Sequence, residues 1–66
     1  MTPVAVLLIE GREVAVYGPG WHRFTWTIDW PGLFSWVRDY LAEQLRTREK
    51  PPEVTIRVEL RKWRGP

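Results

Sequence analysis

The chain has 66 residues, ten of them basic and eight acidic, with five tryptophans and no cysteine. That length allows one small domain, and the missing cysteines exclude disulfides and thiolate metal sites as staples. A formal charge of +2 is too small to argue for nucleic acid; the pI of 9.5 arises because eight of the ten basic residues are arginine.

In chain order, Val4–Glu10 (VAVLLIE) is apolar on both sides of a period-2 pattern, which predicts a central strand covered on both faces. It is too short to span a membrane or form a signal-peptide core, and no other apolar run approaches the ~20 residues of a span. The chain therefore reads as soluble and cytoplasmic. Gly11-Arg12 fits a two-residue type II′ turn, and Glu13–Tyr17 returns as a second strand. Gly18-Pro19-Gly20 is a second turn. Trp21–Ile28 (WHRFTWTI) alternates and is rich in aromatic and β-branched residues, so it predicts a third strand.

Asp29–Lys50 is the one long segment of helical period. Trp30, Leu33, Phe34, Val37, Leu41 and Leu45 fall on one stripe, with Ser35, Asp39, Glu43 and Arg46 opposite. Asp29 suits the N-cap and Pro31 the first turn. Arg46, Arg48 and Lys50 complement the negative end of the helix, and Pro51-Pro52 stops it. Trp36 and Tyr40, four apart, stack on one flank. They either cover the edge of the core or form an exposed ridge that anchors a partner. Val54–Leu60 (VTIRVEL) alternates again as a fourth strand.

These turns pair Ile9 with Val14 and Leu7 with Val16. One sheet face then carries Ala5, Leu7, Ile9, Val14, Val16, His22, Phe24, Trp26 and Ile28, joined by Val54, Ile56, Val58 and Leu60. The whole apolar stripe of the helix is expected to pack there. A right-handed crossover makes the fourth strand parallel to the first. The expected fold is an α+β, βββαβ two-layer sandwich in one domain, with a four-stranded mixed sheet of order 3-2-1-4 and the helix on one face. This order is similar to the opening of the ribonuclease H fold and to its truncated form in small HicB-type antitoxins. The resemblance is one of topology alone. The carboxylates that ribonuclease H enzymes converge on metal ions have no counterpart in Val4–Ile9.

The opposite face gathers Val4, Val6 and Leu8 with Tyr17, Trp21, Arg23, Arg57, Glu59, Arg61 and Trp63. An apolar centre ringed by aromatics and arginines is unusual for a solvated sheet face. Three readings fit it. It binds a protein partner or a second copy, as an inhibitor, antitoxin-like protein or accessory subunit, with Trp36 and Tyr40 as a further anchor. It binds single-stranded nucleic acid by stacking and phosphate contacts, although Glu59 sits in its middle. Or the aromatics and arginine stems simply cover the aliphatic residues. The agreement of pattern, turns and caps also fits a designed or idealised fold with no evolved ligand.

Signals of chemistry are missing. His22 is the only histidine and Ser35 the only serine, on opposite sides of the expected core, so no nucleophile–base pair forms. A zinc site lacks its ligands, and Gly18-Pro19-Gly20 is no phosphate loop. The expectation is a non-enzymatic protein with no cofactor, no metal and no catalytic residue.

Overall fold

A computed structural model of the chain describes residues 1–22, 24–48 and 50–63, with the His22 side chain excepted. Among the described residues it is an α+β structure of five strands and one helix. The elements are β1 (Thr2–Ile9), β2 (Arg12–Tyr17), β3 (Pro19–His22), β4 (Thr25–Ile28), α1 (Trp30–Thr47) and β5 (Val54–Arg61). An antiparallel sheet has the order β2-β1-β5, and β3 and β4 form a separate two-stranded sheet. The central place expected for the first strand is where β1 lies. Val4, Ala5, Val6 and Leu7 have no exposed surface at all.

The four-stranded mixed sheet of order 3-2-1-4 does not form. Trp21–Ile28 is two strands rather than one. β3 and β4 run antiparallel, with Trp21 opposite Trp26 and His22 opposite Thr25. Nothing in the sequence marks a turn here, and Phe24 adopts a left-handed φ of 70°, a costly conformation for a bulky residue. Part of that cost is offset where Trp21 and Trp26 meet edge to face, their ring centroids 5.7 Å apart, a geometry worth about 0.5–1.5 kcal/mol. The extra reversal changes the parity of the connection. After one more turn of the chain, β5 runs antiparallel to β1, with Ala5 opposite Val58 and Leu7 opposite Ile56. The parallel crossover is therefore absent, and with it the likeness to the ribonuclease H and antitoxin topology.

The first turn differs as well. Its central residues are Glu10 and Gly11, with φ of 51° and 78°, the two positive values a type I′ turn requires. Glu10 is held there from outside. Its N–H donates to the Glu53 carbonyl at 2.9 Å, and its carboxylate accepts from the Glu53 N–H at 3.2 Å. The expected Gly11-Arg12 turn would set Glu10 and Glu13 face to face, whereas this one sets Glu13 opposite Leu8. A bulge follows between Leu7 and Leu8, after which Leu7 lies opposite Ala15, Val6 opposite Val16 and Ala5 opposite Tyr17. The expected Ile9–Val14 and Leu7–Val16 pairs do not form. Because a one-residue slip exchanges the two sides of a strand, Val16 moves to the side away from the helix and Tyr17 to the side facing it.

On the helix side, Ala5, Ile28 and Leu33 form the core cluster, with Tyr17, Trp30 and Val37 packed around it. The start of α1 is well fixed. Asp29 accepts from the Gly32 N–H at 3.0 Å and donates its own N–H to the Gly18 carbonyl at 3.2 Å. A Cβ at Gly32 would collide with that capping carboxylate. The helix ends at Thr47, ahead of the Pro51-Pro52 stop, and Arg48 is already extended with its N–H on the Gln44 carbonyl at 2.9 Å. Only Leu33 of the stripe is fully buried; Phe34 and Leu45 are more than half exposed. The stripe is thus only partly used in folding, contrary to expectation.

Leu33 is accordingly the residue on which helix attachment rests. Leu33→Ala should cost about 2–5 kcal/mol, which a 66-residue domain barely tolerates. Leu45→Ala on the same stripe should stay within about 0.5 kcal/mol. Urea denaturation of the two variants, followed by far-UV circular dichroism, checks the contrast. Equal losses would place Leu45 in the core.

Candidate functional site

The side of the sheet away from the helix carries Thr2, Val4, Val6 and Leu8 of β1. Their cross-strand neighbours are Val16 and Glu13 on β2 and Thr55, Arg57, Glu59 and Arg61 on β5. Arg61 donates to both carboxylate oxygens of Glu13, Nη1 and Nη2 each at 2.8 Å. This fork joins the two edge strands, so it passes over β1, where Val4 and Val6 are wholly shielded. Arg61 also donates through Nε to Glu59, and Arg57 Nε lies 3.2 Å from the other oxygen of Glu59. The arginines expected to offer free charge are therefore held by carboxylates of their own chain. Bidentate pairing of this kind is the stronger class of ion pair, though its partial exposure keeps its worth small.

The other sequence-predicted binding residues are not brought to one surface. Tyr17 is half-buried on the helix side, packed against the Ala5–Ile28–Leu33 cluster. Trp21, 72% exposed, lies on the β3–β4 hairpin against Trp26. Trp63 is half-buried, its indole laid against Gly18 so closely that a Cβ there would strike the ring. Around it Val16, Tyr17, Pro19, Gly20 and Asp29 complete a cavity of about 320 Å³. The Trp63 Nε1–H is buried without a hydrogen-bond partner among the described residues. Trp36 and Tyr40 stack as their spacing implies, centroids 5.1 Å apart and 12° between planes, with Trp36 39% exposed. Arg23 lies outside the described residues, as does the side of the sheet taken by the His22 side chain. Among the described residues no three His, Asp or Glu side chains gather as metal ligands would, and no helix is long and apolar enough to cross a membrane.

A different surface stands out, made of residues that the sequence pattern assigned to the core. Ile56, Val58 and Leu60 lie on the helix side of β5, opposite Leu7, Ala5 and Pro3. They are 38%, 55% and 60% exposed, because α1 settles through Leu33 on Ala5 and Ile28 and leaves β5 uncovered. Among the described residues β5 is also an edge: its eight residues pair with β1 on one side only, and no proline or lysine interrupts them. The other edge, β2, is shorter and carries the bulge. A long, regular, half-apolar edge with unpaired backbone groups is a template for another strand. The sequence signal for it was available in the strict alternation of Val54–Leu60, but alternation alone does not say whether a helix covers the apolar row.

Electrostatics on the opposite side of β5 yield a test. The Arg61 hydrogen bonds hold the Glu13 carboxyl below its ordinary range against a smaller opposing effect of desolvation, with the positive charges of Arg61 and Arg57 adding to the lowering. A depressed carboxyl stabilises the fold at and above the ordinary carboxylate range and loses that contribution as pH falls through its lowered value. Glu13→Gln should therefore be less stable than the parent at neutral pH, and the two should converge in acid. Urea midpoints across that range check this; a gap that does not narrow would show that Glu13 acts through packing rather than charge. No protein-family model, curated protein or solved structure matches the chain.

Proposed function

We propose that the chain is a small non-enzymatic interaction module that takes a strand of a protein partner onto the β5 edge. The observation that carries this reading is the coincidence on one edge strand of unpaired backbone groups and the half-exposed row Ile56, Val58 and Leu60. Strand addition of this kind draws affinity from main-chain hydrogen bonds and specificity from alternate side chains. The total surface supports it. The chain exposes 5206 Å², against about 4,400 Å² for a folded monomer of its mass. Its radius of gyration is 13.2 Å where about 11 Å is usual for its length. The excess area is comparable to the ~800 Å² that each partner contributes to an ordinary interface. Recognition of single-stranded nucleic acid through the Trp and Arg residues is the competing reading. It has less to draw on, since Arg57 and Arg61 are engaged by Glu59 and Glu13.

Two titrations separate the readings. A synthetic peptide with the sequence of residues 54–61 should shift and protect the β5 amides in NMR spectra, and Val58→Lys should abolish the effect while leaving the fold intact. A single-stranded oligonucleotide at low salt should leave the tryptophan fluorescence unchanged. The reverse pattern, with a fluorescence response that weakens steeply with salt and no peptide effect, would sink the strand-docking reading.

A further inference from the structure

Resting on that reading of β5, we infer that the strand the edge accepts is β5 of a second copy, paired antiparallel about a two-fold axis through Val58. Two requirements select this register. Residues directly opposite in an antiparallel ladder lie on the same side of the sheet, so the apolar row Ile56, Val58, Leu60 must face the apolar row of the second copy. That confines the axis to a residue position, because an axis midway between residues sets apolar against charged side chains. Charge then chooses among the three central positions of that row, about which the two rows overlap most. An axis at Arg57 sets arginine against arginine. An axis at Glu59 sets glutamate against glutamate and Arg57 against Arg61. An axis at Val58 sets Arg57 against Glu59 of the second copy, and Glu59 against its Arg57. The same axis puts Ile56 against Leu60 of the second copy and Val58 against its own counterpart. One strand is thereby complementary to itself in both rows at once, which a two-fold interface demands of every contact.

The charged groups are placed for the added contact. Glu59 already receives Arg57 and Arg61 of its own chain, one on each carboxylate oxygen. A carboxylate has lone pairs for about four donors, so it can take the arginine of a second copy without releasing its own. The Arg57 side chain is 55% exposed and that of Glu59 30% exposed. Pairing would join two sheets of order β2-β1-β5 into one six-stranded antiparallel sheet, both helices on the same face, and would set the three apolar residues that α1 leaves open beside those of the second copy.

Sedimentation equilibrium of the intact chain from micromolar to millimolar concentration tests the proposal. The expected mass rises from 7.9 kDa toward twice that value. Arg57→Glu alone sets like charges opposite at two places and should weaken association roughly tenfold or more, as should Glu59→Arg alone. An equimolar mixture of the two variants pairs glutamates of one chain with arginines of the other, so association should return as a heterodimer. Circular dichroism shows whether each variant is folded. Val58→Cys supplies a readout independent of charge. Under mild oxidation it should form a covalent dimer rapidly, whereas Ile56→Cys and Leu60→Cys, each opposite the other's position, should do so slowly. A parent chain that stays monomeric throughout would overturn the inference, yet the strand-docking reading would survive if the peptide of residues 54–61 still bound. A dimer whose mixed variants do not associate, or which crosslinks equally at all three positions, would overturn the Val58 axis.

Discussion

The structure depends on the burial of β1. Four consecutive residues, Val4 to Leu7, have no contact with solvent, although a strand shows alternate residues to opposite sides. Each side must therefore be covered, and the chain covers them by different means. On one side Leu33, Ile28 and Tyr17 pack in the ordinary apolar way. On the other, where no helix is left, the Arg61–Glu13 fork reaches across from the two edge strands. A domain of this size has little apolar surface to divide. Using ion pairs as one roof frees the helix and the hairpin to build the other.

That division explains why the helix is held at one end. Asp29 caps it, the Gly18 carbonyl ties the cap to the turn after β2, and Leu33 fills the core one turn later. Farther along, Leu45 is half exposed and the ion pairs are surface contacts such as Arg46 to Glu43 at 3.1 Å. The amphipathic stripe is longer than the core it serves. The same shortage of cover leaves the helix-facing row of β5 open.

Much of this was legible in the sequence. The central place of the first strand followed from VAVLLIE, the helix start from Asp29 and Pro31, and the Trp36–Tyr40 stack from their spacing of four. The alternation in Val54–Leu60 correctly divided apolar from charged residues. What was not legible has physical reasons. A period-2 pattern is the same in one eight-residue strand and in two short antiparallel strands, and the sequence between His22 and Thr25 has no glycine, proline or asparagine to mark a reversal. That single hidden turn inverted the direction of β5 and dissolved the expected crossover. The slip in β2 came from Glu10, whose left-handed conformation is fixed by Glu53, a residue 43 positions away. The candidate site moved for the same reasons. Tyr17 changed sides with the register, Trp21 left with the hairpin, and Arg57 and Arg61 are engaged by Glu59, which the alternation already sets between them, and Arg61 also by Glu13, which chain order alone does not place beside it.

The bulge between Leu7 and Leu8 has a consequence beyond the register. It makes the two borders of the sheet unlike: β5 is eight residues long and pairs in unbroken register, while β2 is six residues long and its register shifts. If both borders were regular, each molecule could accept neighbours on two sides and the sheet could grow without limit, as fibrils do. With one border distorted, growth through the other, by the pairing proposed above, would stop at a closed pair. The irregularity that shields one edge would thus set a ceiling on assembly through a sticky strand.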